Sequence, residues 1–159
     1  MALKIETGKD NSILRTVCDE IKKSEWKQYT KLWKEMVAYI KNPDHAGVWL
    51  ADPKIWVTKR IIVCSLLRDW EDETFSTVMM INPEILEASN EMTHEVEEWC
   101  LSLPKTKKGY VERHESIKLS YYDEKMKQKI LRISGLASVI VQHEIDHLNW
   151  ILYIDKLVK

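Results

Sequence analysis

Apolar side chains recur at helical spacing in two stretches of this chain and cluster into short strand-like runs elsewhere. Trp26, Tyr29, Trp33, Met36, Val37 and Ile40 return every three or four residues, predicting an amphipathic helix that Ser24 caps and Asn42-Pro43-Asp44 stops. Ile55 to Cys64 and Phe75 to Ile81 read as strands, the second ended by Asn82-Pro83. Ile117 to Tyr122 and Lys127 to Ile133 predict a hairpin about Asp123-Glu124-Lys125-Met126. Ser134 then caps a second helix in which Leu136, Val139, Ile140, His143 and His147 share one stripe. The short apolar tail Ile151 to Leu157 reads as a final strand. No repeat, linker or low-complexity segment interrupts the series, so residues 1–159 are expected to form one α+β domain with a single sizeable core.

The second helix carries the chemistry. Gln142-His143-Glu144-Ile145-Asp146-His147 is an HExxH motif: on a helix both imidazoles reach one metal ion while Glu144 stands beside it as a general base. A histidine on an apolar helix face is more often a hydrogen-bonded core residue, and a lone cysteine a small buried hydrophobe. Two histidines at this spacing with glutamate between them favour a metal. The extended metzincin motif needs a further histidine six residues on, and Tyr153 stands there. Asp155 is the one residue beyond His147 that could ligate, so the third ligand is expected upstream. Cys100, in Glu98-Trp99-Cys100-Leu101-Ser102-Leu103-Pro104, is the best candidate because a thiolate suits zinc or ferrous iron. His45, His94 and His114 are weaker, each lying in a charged, loop-like stretch.

With those residues in view, the chain resembles the peptide deformylases from end to end. That family carries the motifs GxGLAAxQ, EGCLS and QHExDHLxG. Here they read Gly47-Val48-Trp49-Leu50-Ala51-Asp52-Pro53-Lys54, then Glu98 to Ser102, then Gln142 to Trp150. Ile13-Leu14-Arg15, Lys59-Arg60-Ile61, Ile81 to Ile85 and Val111-Glu112-Arg113 also fall where the family has similar residues. The resemblance implies an α+β fold of mixed antiparallel sheets around a central HExxH helix, with an N-terminal helix. It implies one divalent metal ion on Cys100, His143 and His147, natively Fe2+ and replaceable by Zn2+, Ni2+ or Co2+. Catalysis would use Glu144 as base, the Leu101 N–H as oxyanion donor and, in place of the family's glutamine, Lys54. The implied substrate is the N-formylmethionyl end of a nascent peptide, meeting Val48, Trp49, Trp99, Arg113, Leu136, Val139 and Ile140. A catalytically weak or inactive relative that binds a peptide terminus, or uses the metal structurally, is the main alternative. A general metallopeptidase is disfavoured by the upstream cysteine.

Charge and cysteine usage narrow the setting. The formal net charge of −1 gives no long-range attraction to nucleic acid or anionic membrane, and no apolar run approaches a bilayer-spanning length. Met1 to Glu6 lacks a signal-peptide core, so a cytoplasmic location is expected, with transient ribosome contact through the substrate. Three cysteines argue against a disulfide framework and leave Cys100 free to ligate.

Two kinds of departure stand out. Asp52 and Lys54 replace the family's alanine and glutamine, and their opposite charges suggest a pair, with Lys54 otherwise swinging to solvent. Trp49, Trp56, Trp99 and Trp150 each fall where deformylases have glycine, and Trp70 sits where Asp-Gly would make an ordinary turn. The chain has 7 Trp and 4 Gly, although glycine ordinarily makes up about 7% of residues. Independent mutation would hardly choose tryptophan four times. The pattern is expected of a gene in which UGA encodes glycine, translated as though UGA were tryptophan; the competing account is a divergent protein whose indoles fill the cleft. On either account Trp49 and Trp99 should meet the peptide main chain, while Trp56 and Trp150 should disturb packing.

Overall fold

A computed structural model of the chain describes residues 3–42, 44–45, 49–69 and 74–158. The first helix is split. A 3-10 turn at Trp26–Tyr29 leads into α1, Thr30–Lys41, and neither start carries a side-chain cap, so Ser24 does not have the expected role. Trp26 stacks on Trp33 with ring centroids 5.7 Å apart, which fixes the tight turn against the helix. The helix ends at Lys41 as its sequence predicts.

Next come β1, Trp49–Ala51, a 3-10 turn at Asp52–Ile55, and β2, Ile61–Asp69. The strand expected from Ile55 starts late because Trp56 has φ 70°, a left-handed conformation that breaks extended backbone. β3, Thr74–Ala88, runs straight through Asn82-Pro83, where the sequence predicted a stop. Asn82 at φ 49° makes a bulge between Ile81 and Glu84, so Pro83 sits where no ladder donor is needed. The Asn82 side chain accepts from the Ile21 N–H and donates to its carbonyl, both at 2.9 Å, fastening the bulge to the N-terminal segment.

Two short ladders, missed by the periodicity, follow. β4, Met92–Thr93, and β5, Glu97–Glu98, pair with β7, Arg113–His114, and β6, Gly109–Tyr110, respectively. The predicted hairpin forms from β8, Ser116–Tyr122, and β9, Gln128–Ser134. The main sheet is antiparallel in the order β1-β2-β3-β8-β9.

The motif helix α2, Gly135–Leu148, begins after Ser134, but the Ser134 hydroxyl makes no capping bond. Instead the Gly135 N–H donates to the Glu115 carbonyl and carboxylate, at 2.9 and 3.1 Å. Every residue from Ser138 to Leu148 is buried, so α2 is interior rather than a surface helix. The tail predicted as a strand folds as a 3-10 turn, Tyr153–Asp155, in which the Asp155 carboxylate accepts the Leu152 N–H; only a single bridge joins Leu157 to Val111.

The apolar run of β2 is explained by burial on both faces. Ile61 and Val63 face α1 with Trp33, Met36 and Ile40, whereas Ile62, Cys64 and Leu66 face α2 with Val141, Ile145 and Leu148. A third cluster, including Leu14, Cys100, Leu103, Val111, Leu152 and Tyr153, packs the Cys100 turn against the C-terminal segment.

Candidate metal centre

α2 delivers His143 and His147 from successive turns, and the turn after β5 brings Cys100 to them from the opposite side. The Cys100 Sγ lies 3.3 Å from His147 Nε2, which lies 3.2 Å from His143 Nε2. One donor atom from each residue falls within 4.8 Å of the others, and all three side chains are buried. A thiolate and two imidazoles converging in this way fit a tetrahedral metal with one position left open. His45, His94 and His114 take no part: His45 stacks on Tyr39, His94 is exposed, and His114 Nδ1 meets the Ser89 carbonyl at 2.8 Å.

The donor atoms are aimed by neighbours. Glu98 can only accept when ionised, so the 2.6 Å contact with His143 fixes a proton on Nδ1; burial opposes the charge on this imidazole, but Cys100 and Glu98 raise its pKa to about 9, so a metal at Nε2 would displace the proton there. Arg113 donates to the same carboxylate through Nε at 2.8 Å and Nη2 at 2.9 Å, and through Nη1 to Asp146. Burial alone would raise the Glu98 carboxyl, but hydrogen bonds from His143 and Arg113 hold it down at about 2. Burial opposes ionisation of Cys100 as well, yet the Lys54 ammonium and His143 bring its thiol below the ordinary value. For His147, burial followed by the charges of Lys54 and His143 pushes the imidazole well down, keeping it neutral with a lone pair to offer.

Arg113 was expected at the substrate and is instead enclosed at 1% exposure, spent on Glu98 and Asp146. The sequence pattern alone assigns Glu98 no role. The signal available was the rule that a ligating histidine needs an acceptor for its other nitrogen, and Glu98 is the carboxylate nearest Cys100 in its motif.

Lys54 also departs from expectation. It neither reaches solvent nor pairs with Asp52: its ammonium is buried and donates to Glu144 Oε1 at 2.7 Å. Burial works against that ammonium, but Cys100 and Glu144 hold its pKa above the usual value. Glu144 Oε2 has no partner among the described residues and Oε1 stands 3.9 Å from His143 Nε2, placing a carboxylate at the centre's edge. Leu101 is half-buried in the turn that follows Cys100.

Trp49, Trp99, Leu136, Val139 and Ile140 line one cleft together with His143. Val48 lies outside the described residues, as does Trp70. The cleft holds only about 40 Å³.

The profile of the polypeptide deformylase family matches residues 2–159. The peptide deformylase of Enterococcus faecalis is 33% identical, over 94% of this chain and 87% of that protein. The one from Halalkalibacterium halodurans is 32% identical, over 99% and 91%. Among solved structures, a probable peptide deformylase from Synechococcus phage S-SSM7 superposes with a TM-score of 0.83 at 35% identity, covering 98% of this chain and 99% of that one. A Met-Ala-Ser-bound peptide deformylase from Acinetobacter baumannii gives 0.85 at 32% identity, with 98% and 99% coverage. Sequence, fold and a convergent Cys/His/His cluster agree, and the chain belongs to the polypeptide deformylase family, hydrolases that remove the N-formyl group from nascent polypeptides.

Proposed function

We propose that this chain deformylates at the Cys100, His143 and His147 centre, with Glu144 as the proton carrier. The observation that supports this best is the unpartnered, fully buried Glu144 Oε2 beside three convergent ligands. A divalent metal held there supplies Lewis-acid chemistry, making water nucleophilic near neutral pH and polarising the formyl carbonyl. Glu144 takes the proton of the water that attacks the formyl carbon and returns it to the amine as the C–N bond breaks, releasing formate. The Leu101 N–H meets the oxyanion, while the Lys54 ammonium, donating to Glu144 Oε1, holds that side chain in place.

The native metal is ferrous iron, with zinc, nickel or cobalt as replacements, because a mixed thiolate and imidazole set accepts each of them. Iron-loaded protein kept from air should release formate from a formyl-methionyl peptide and lose that activity on oxidation. Cys100→Ser should lose bound metal and turnover together; full metal content in that variant would remove Cys100 from the ligand set. A nascent-chain substrate supports a cytoplasmic protein in transient contact with the ribosome, and the family match over residues 2–159 supports one domain over residues 1–159. Among the described residues no helix is long and apolar enough to cross a membrane.

A second reading, a catalytically weak relative that binds a peptide terminus, is favoured by the narrowness of the cleft beside His143. Metal-loaded protein that binds Met-Ala-Ser yet releases no formate would establish it.

A further inference from the structure

Trp56 and Trp150 have φ of 70° and 62°, in the left-handed region that tryptophan rarely adopts. Both sit where a helical segment stops. After α2 the Ile151 N–H returns to the Asp146 carbonyl at 3.0 Å and the Trp150 N–H to the His147 carbonyl at 3.3 Å. That double bond pattern is the Schellman motif, with residue 150 at the left-handed position where glycine is the usual choice. After the 3-10 turn at Asp52–Ile55, the Val57 N–H returns to the Asp52 carbonyl at 3.3 Å, with Trp56 left-handed between them. The indoles contribute little in return, since Trp56 is 63% and Trp150 54% exposed. They strain the backbone, and the disturbance of packing expected from the sequence is not where they act.

Trp49 and Trp99 pose a different conflict. Neither has a positive φ, but both wall the cleft at His143, which holds about 40 Å³. Room on that scale suits about three waters, whereas ligand pockets commonly span roughly 300–1,000 Å³. Beside Glu97 and Glu98, the walls Val96, Leu136, Val139 and Ile140 offer an apolar surface suited to an unbranched apolar side chain.

We infer that positions 49, 56, 99 and 150 are glycine in the native protein, encoded by UGA, and that glycine at 49 and 99 opens the pocket that takes the substrate's first side chain. Two unrelated signs converge on one residue type: left-handed helix stops at 56 and 150, and a blocked cleft at 49 and 99. A composition of 7 Trp to 4 Gly fits the same cause. Glycine also stabilises the stops directly, because it adopts positive φ without a Cβ clash. The identity of the pocket's occupant rests on the deformylase reading; the backbone half does not.

Sequencing the source DNA is the first test. UGA at the four positions is expected, and UGG overturns the inference. Trp56→Gly/Trp150→Gly should raise Tm by about 2–4 °C for each relieved position, a readout independent of metal and substrate; a fall in Tm overturns the backbone half. Trp49→Gly/Trp99→Gly should tighten Met-Ala-Ser binding to the metal-loaded protein at least about tenfold by calorimetry, the order expected when a shut pocket becomes available. Trp99→Gly alone serves where loss of the packed Trp49 unfolds the double variant. Unchanged binding in a folded variant overturns the pocket half, even if formate release shows the deformylase reading to be right.

Discussion

Asp52 is buried without any exposure, and neither carboxylate oxygen has a partner among the described residues. Burial therefore pushes its pKa well above the ordinary 3.8. The native state keeps a proton that the unfolded chain releases, so stability falls as pH rises above about 3.8. Asp52→Ala should stabilise the protein by about 1–3 kcal/mol at pH 7, the usual cost of an unsatisfied buried group, and the gain should shrink towards pH 4. Urea melts across that range would show it, and a gain independent of pH would place the effect elsewhere. Lys54, two residues on, has a different logic. Removing its charge outright, as in Lys54→Met, strands a buried Glu144 carboxylate and should cost about 3–5 kcal/mol. Lys54→Gln retains a donor to Glu144 while presenting a neutral amide to the oxyanion, so formate release should rise, by up to about 10²-fold. A large loss of turnover in that variant would make the lysine itself catalytic. The pattern of residue types marked Lys54 as unusual, but its partner lies 90 positions away in sequence and only the fold discloses it.

Elements reveal which signals are local. α2 and the β8-β9 hairpin follow their sequence patterns closely, because helical and alternating periodicities survive when neighbours agree with them. The bulge at Asn82-Pro83 does not follow, since its bonds to Ile21 turn a local stop signal into a bend. The tail differs for a similar reason: Asp155 is occupied by Arg15 and the Leu152 N–H, and those bonds close a turn where apolar content alone suggested a strand. The metal ligands were legible because HExxH spacing is local and Cys100 sits in a recognisable motif. Their support was not, since Glu98, Arg113 and Asp146 come from β5, β7 and α2. This triad links three elements, so its loss should be felt at the centre. Glu98→Gln leaves His143 without its anionic acceptor and should weaken metal affinity about 10–100-fold while the fold persists. Competition with a chromophoric chelator measures this; undiminished affinity would reduce Glu98 to a structural partner of Arg113.

At the scale of the molecule, the centre joins two clusters that also meet where Arg113 bridges Glu98 to Asp146 and where His143 stacks on Tyr153. α2 belongs to the core beneath the main sheet, whereas Cys100 belongs to the cluster that packs the C-terminal segment. Ligation across this boundary, together with the Glu98 to His143 hydrogen bond, ties the two clusters into one cooperative unit. A ligand that binds the native state alone stabilises it in proportion to the logarithm of its concentration, about 2.7 kcal/mol at one hundred times Kd. For a chain of this length that corresponds to a rise in Tm of roughly 5–10 °C. Chelation should therefore lower Tm by a similar amount, and proteolysis near residues 99–106 should quicken before the main sheet is cut, because that turn loses its anchor while the sheet keeps its ladders. Cys100→Ser provides the internal control, since its Tm should be insensitive to chelator and to added metal alike. If the chelated wild type melts at the same temperature as the loaded protein, the metal is held without coupling the clusters, and the Cys100 turn rests on apolar packing around Leu103 and Tyr153, the Gly8 to Ser102 backbone bond and the Arg113 to Glu98 pair.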